Sequence, residues 1–186
     1  MKKVLAVFVL SVILLSGCRN KNSGMDQALV LRQKIQQNAC SFHVDITADY
    51  GDTVYEFGMD CQADTAGNLS FTVTAPETIQ GITGTVDGTG GNLTFDDAVL
   101  VFELLADGQI TPVSAPWILI RTIRSGYIHA TAETETGTKL IINDSYEEDS
   151  LQLDIWLDEE DCPVAAEILW QGKRIVSLTV KNFSFQ

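Results

Sequence analysis

Apolar and polar residues alternate along most of this chain, a period of two that predicts β-strands with one covered face and one wet face. Phe42, Val44, Ile46 and Ala48 alternate with His43, Asp45, Thr47 and Asp49. Tyr55, Phe57, Met59 and Cys61 repeat the pattern after a turn at Tyr50-Gly51-Asp52, and Leu69, Phe71, Val73 and Ala75 form a third run after Gly67-Asn68. Three sequential runs joined by short turns predict an antiparallel meander. Short glycine-punctuated strands follow at 82–86 and 92–95, and a second meander is predicted over 127–135, 138–142, 151–157, 164–170 and 173–183. Three stretches depart from this period. Residues 25–38 space Ala28, Leu31, Ile35 and Asn38 at helical intervals, with Asp26 suited to the helix dipole. Residues 98–106 are almost wholly apolar, preceded by Asp96 and Asp97 and closed by Gly108, which predicts a short buried helix. Residues 117–124 predict another, between Pro116 and Gly126. The expectation is a mainly β (α+β) fold of about ten antiparallel strands, with one N-terminal helix and two short mid-chain helices.

The first residues have a different character. Lys2 and Lys3 precede an apolar run over 4–15 and then small residues, the three parts of a secretory signal. Leu15-Ser16-Gly17-Cys18 resembles the bacterial lipobox. That resemblance implies a diacylglyceryl group on the Cys18 thiol, cleavage before Cys18, and a protein anchored in a bacterial membrane facing the extracytoplasmic side. Two other readings compete: a transmembrane helix, which needs roughly 20 apolar residues, and an ordinary signal with an incidental cysteine. The run is interrupted by Ser11 and stops short of a span. On the lipobox reading residues 1–17 are the signal peptide, 18–24 the lipidated cysteine and a flexible polar tether, and 25–186 one folded domain.

Composition narrows the partners. The chain has 186 residues and a net charge of −13, which loss of Lys2 and Lys3 would take to −15. Such a surface argues against nucleic acid and against adhesion to anionic headgroups, both of which need clustered Lys and Arg. Attachment to the membrane then falls to the anchor, and stable attachment takes two or more acyl chains. Cys40 and Cys61 flank the first hairpin, which predicts a disulfide between them in an oxidising compartment. Cys162 is left as a buried thiol or one with an unidentified partner, and no metal-ligand spacing accompanies these cysteines.

Catalytic chemistry is hard to find. Gly90-Gly91 lacks the preceding buried strand, following helix and Lys-Ser/Thr pair of a phosphate loop. His43 and His129 stand on predicted strands with no nucleophile elbow or partnered cysteine nearby in the sequence. Asp144, Glu147, Glu148 and Asp149 lack the glycine and spacing of a calcium loop, and Glu159, Glu160 and Asp161 read as solvated turn residues. Arg121 and Arg124, ahead of Gly126, suit a helix C-terminus better than an anionic ligand. No enzyme, cofactor or metal is expected.

The order of elements, with Gly67-Asn68-Leu69-Ser70-Phe71-Thr72-Val73, Pro76-Glu77-Thr78-Ile79-Gln80-Gly81-Ile82 and Pro163-Val164-Ala165-Ala166-Glu167-Ile168, resembles the lipoprotein-carrier (LolA/LolB-like) superfamily. It is also similar to lipid-anchored members from Gram-positive spore-formers, among them a germination lipoprotein. The resemblance implies a strongly curved, unclosed antiparallel half-barrel with helices against its concave face and an apolar cavity between. A long sheet with one apolar face must cover that face, and short helices do so only in part if the sheet is deeply curved. The candidate lining is Phe42, Val44, Phe57, Met59, Phe71, Val73, Phe95, Leu100, Leu104, Trp117, Ile120, Leu153 and Ile155; the competing reading makes the same side chains a packed core. Two functions follow. One is a non-enzymatic lipoprotein holding a lipid, an acyl chain or an apolar peptide. The other is an envelope scaffold or sensor that binds a partner protein, such as a cell-wall enzyme, through the sheet rim and stores nothing.

Overall fold

The computed structural model describes residues 24–95, 98–103, 105–106 and 109–186; Cys18 and residues 1–17 lie outside them. Helix α1 (Gly24–Gln37) buries Ala28, Leu31 and Ile35, the stripe its sequence spacing placed on one face. The strands β1 (Cys40–Asp49), β2 (Val54–Ala63), β3 (Leu69–Ala75), β4 (Thr83–Asp87), β5 (Gly90–Phe95) and β6 (Ala98–Phe102) then run back and forth. Two two-residue strands, β7 (Leu105–Ala106) and β8 (Gln109–Ile110), pair only with each other. A 3-10 turn (Pro112–Ser114) leads into helix α2 (Ala115–Ser125), and β9 (Tyr127–Thr134), β10 (Gly137–Asn143), β11 (Leu151–Leu157), β12 (Pro163–Trp170) and β13 (Lys173–Phe185) complete the chain.

Eleven strands form one antiparallel sheet in the order β6-β5-β4-β3-β2-β1-β13-β12-β11-β10-β9, with β6 and β9 as unjoined ends. Each meander is local, so the one long-range decision is the β1–β13 pairing, which runs from Cys40 opposite Phe185 to Ala48 opposite Val176. It welds the two meanders into a single curved surface. The curvature is evident from α2, which touches β2, β13 and β10 at once. A helix on a flat sheet keeps one wet face. Here Ala115, Pro116, Trp117, Ile118, Leu119, Ile120, Thr122 and Ile123 are all buried, because the sheet wraps round one side and α1 covers another.

The two helices are joined through their C-termini, where carbonyls lack helical partners. Arg32 of α1 donates to the carbonyls of Ile123 and Gly126 at 2.8 and 2.6 Å. In return Arg124 of α2 donates to the carbonyl of Ile35 at 2.9 Å and to that of Thr65 at 2.8 Å. Burial pulls the Arg32 guanidinium below its usual value, the cost of placing a cation where it can cap a buried helix end. Arg124 thus takes the helix-capping role, while Arg121 lies over the Trp117 ring at 5.2 Å.

Two expectations need correction. The buried helix expected over 98–106 is instead a strand and part of a small hairpin, so one mid-chain helix is found among the described residues, not two. Ala98-Val99-Leu100-Val101-Phe102 is apolar on every side, and such a run has no period with which to separate a helix from a strand. The open edge of β5 decides the matter, pairing residue for residue from Phe95 opposite Ala98 to Gly91 opposite Phe102. The second correction concerns the disulfide. The hairpin of β1 and β2 forms, but its register sets Cys40 opposite Ala63 and Cys61 opposite Phe42. The two cysteines are therefore diagonal, not facing, and both are free and buried. Diagonal positions are roughly 7–8 Å apart, beyond the reach of an unstrained bridge. Burial raises both thiols, Cys40 to about 11, and favours their neutral form.

Candidate functional site: an apolar cleft at the open end of the sheet

Helix α2 makes its main sheet contacts with β2, β10 and β13, and the inner surface towards β5 is left partly uncovered. The cleft that results has a volume of about 670 Å³ and is walled by β2, β3, β5, the 76–82 connection and the 110–113 strap. Phe57 and Tyr55 enter from β2 and Val73 from β3, alternate inward positions that follow from the strand period. Leu93 enters from β5, and Ile79 and Ile82 come from the connection. That connection is held as a rigid loop: the Val73 amide donates to the Ile82 carbonyl at 2.8 Å, and the Gly81 amide donates to the Val73 carbonyl at 2.9 Å. Gly81 has φ of +89°, a conformation that a side chain would strain. Ile110, Thr111, Pro112 and Val113 close the opposite wall.

Tyr50 fixes the strap. Its hydroxyl donates to the Ile110 carbonyl, and its ring meets Tyr55 edge to face at 6.2 Å between centroids. Burial, and secondarily the neighbouring Tyr55, push the Tyr50 phenol up to about 12, so it is a donor throughout the physiological range. A second cavity of about 480 Å³ also borders Tyr50 and Ile110 and is lined by Leu151, Trp170 and Ile175 together with Asp144, Glu147, Asp149 and Lys173. The two cavities share only Tyr50 and Ile110.

The residues nominated from sequence divide sharply. Phe57 and Val73 line the cleft. Phe42, Val44, Met59, Phe71, Trp117, Ile120, Leu153 and Ile155 are buried in the core, around the two helices. Phe95 and Leu100 are exposed, Leu100 because it lies on an edge strand and not on the expected helix. Leu104 and Cys18 lie outside the described residues. Sequence reasoning passed over Tyr50, Ile79, Ile82, Leu93, Ile110 and Val113. For Tyr50, Ile79, Ile110 and Val113 the available signal was the presence of apolar side chains inside turn-like segments, where solvated loops would carry polar ones.

The outer face is chemically different. A trough of about 620 Å³ runs across β1 to β5 and is lined mainly by hydroxyl and amide side chains. His43 stands in it between Asp60, at 2.8 Å, and Asp45, at 3.3 Å. Lys181 pairs with Asp45 and holds that carboxyl below its usual value. His43 is thus tied to two carboxylates with no nucleophile among these partners. His129 borders a separate polar hollow on β9. Asp144 accepts the Leu151 amide at 2.8 Å and so serves its own turn. Among the described residues no three metal-ligating side chains gather, and no helix is long and apolar enough to cross a membrane.

By sequence the chain matches no family model and no curated protein. Comparison of structures finds similar folds at low identity. An uncharacterized conserved protein from Thermus thermophilus is 9% identical, with a TM-score of 0.49 over 88% of both chains. A LolA superfamily protein from Nitrosomonas europaea is 10% identical, with a TM-score of 0.44 over 86% of this chain and 93% of the other. The Mycobacterium tuberculosis lipoprotein LppX is 14% identical, with a TM-score of 0.42 over 87% of this chain and 93% of the other.

Proposed function

We propose that this chain is a non-enzymatic lipoprotein, anchored through Cys18 on the outer side of a bacterial membrane, whose half-barrel holds an acyl chain or apolar segment in the cleft beside Tyr50. The observation that carries this reading is the cleft itself: about 670 Å³ walled by Tyr55, Phe57, Val73, Ile79, Ile82 and Leu93. That size and lining suit a small apolar ligand. Burial of apolar ligand surface would drive binding at about 25 cal/mol per Å². Among the described residues the ionisable groups in the lining are Asp52 and the two tyrosines. A free fatty acid would find no cation for its carboxylate there, so a neutral or zwitterionic headgroup fits better. An anchored protein cannot ferry its cargo across an aqueous gap, and on this reading it acts locally, as a receiver, sensor or holdfast.

Native mass spectrometry of the full-length protein, extracted in mild detergent, tests the reading. A co-purifying lipid mass, lost in the Ile82→Trp variant with the fold retained, supports it. A protein that carries no lipid and takes up neither a fluorescent monoacylglycerol nor a fluorescent phosphatidylcholine sinks it.

A further inference from the structure

Strand β6 has the composition of an interior strand and the position of an edge. Ala98, Val99, Leu100, Val101 and Phe102 are apolar on both faces, as is usual for strands covered on both sides. Yet Val99, Leu100 and Val101 are 62, 63 and 81% exposed. Only β5 pairs with β6, and among the described residues no strand lies along its other side. Exposed edges are ordinarily protected by charge, proline or a bulge within the strand. None interrupts Ala98–Phe102, and its register with β5 is unbroken.

Lipid would cover these side chains but would leave the free N–H and C=O groups of the edge without partners, which is unfavourable in an apolar medium. An added strand satisfies both. Electrostatics selects which strand. Between residues 35 and 120 there is no Lys or Arg at all, against twelve Asp and Glu, with Glu103 directly after β6 and Asp87 ending β4. A second copy joined through this edge would bring together two regions of the same sign. A basic segment would be attracted to it.

We propose that β6 is a docking edge for an extended segment of a partner protein, one with alternating β-branched residues between Lys or Arg residues, which adds to the sheet beyond β6. Backbone pairing supplies affinity, Val99 and Val101 supply an apolar outer face, and the flanking cations meet the acidic surround. The edge is separate from the cleft reading and does not require it.

The test uses full-length protein in detergent micelles and two synthetic peptides of alternating Val and Thr, one with two Lys at each end and one with two Glu. The Lys-flanked peptide is expected to bind, to slow hydrogen exchange at the amides of Val99 to Phe102, and to bind roughly tenfold more weakly to Val101→Lys, about 1.4 kcal/mol. Val99→Lys provides a second variant at an exposed site, and both should keep the wild-type melting temperature and any lipid in the cleft. Equal binding of the Glu-flanked peptide overturns the proposal, as does unchanged exchange in β6. A β6-dependent dimer without peptide, or protection of β6 by phosphatidylcholine vesicles in place of peptide, does the same.

Discussion

Strands β9 and β6 end the same sheet, and the protein treats them in opposite ways. At the β9 end, α1 begins so close to the sheet that a Cβ on Gly24 would stand 2.7 Å from the Thr131 hydroxyl. Gln27 links that helix to β10 and to the turn before β12, accepting from Thr138 at 2.7 Å and donating to Asp161 at 2.8 Å. Helix α2 fills the space behind, and Leu119, Leu140, Leu153 and Ile155 are fully buried. Towards the β6 end Val86 of β4 is still buried, but Ile82 and Leu93 line the cleft and Val99, Leu100 and Val101 are exposed. The difference shows that a single repeated strand pattern supports two physical outcomes. Where helices reach, the inward residues form a core; where they stop short, the same alternation lines an open cleft.

The strongest way to break this comparison is to shorten one leucine in each region. Leu119→Ala, within the helix-filled half, should cost about 3–4 kcal/mol, since buried leucines lose transfer energy and leave a cavity. Leu100→Ala, on the open edge, should stay within about 0.5 kcal/mol of wild type. Urea denaturation of both variants measures the contrast, and equal losses would mean that β6 is buried in solution. Next in size is Arg124→Ala, which removes both hydrogen bonds of this cation to the Ile35 and Thr65 carbonyls. A loss of about 2 kcal/mol is expected, and an unchanged urea midpoint would show that the helix pair does not depend on this cap.

The smallest effect sharpens the boundary between cleft and strap. Tyr50→Phe should cost about 1 kcal/mol at neutral pH, the worth of one hydrogen bond. Tyr50 is raised in the folded state from 10.0 to about 12, so its contribution is complete below pH 10 and declines as pH rises from 10 towards 12. In that window the unfolded chain ionises first, and the gap between wild type and Tyr50→Phe should narrow. Parallel urea midpoints at neutral and alkaline pH measure it, and a constant gap would place Tyr50 in water.

Much of the fold was legible because strand period and turn chemistry are local. The inward sets Phe42, Val44, Ile46, Ala48 and Leu69, Phe71, Val73 are buried as their alternation predicts, and α1 buries the three apolar residues of its stripe. The error at residues 98–106 arose where local information vanished, since a wholly apolar run has no phase. The disulfide expectation failed on register: being near in a hairpin is not the same as being opposite, and a two-residue offset separates Cys40 from Cys61. Of the candidate lining, Phe57 and Val73 reach the cleft, eight others are core, and Phe95 and Leu100 are exposed, because a sequence shows which face a residue takes but not which other element meets it there.

By itself, then, the sequence determined the alternating strands and the two amphipathic segments that became helices, both of which depend on residues a few positions apart. Tertiary structure decided the rest: the β1–β13 weld, the extent of α2 across the concave face, the cleft it leaves uncovered and the exposure of β6. Each depends on contacts between residues far apart in the chain, and no local pattern records how far a helix will reach across a sheet.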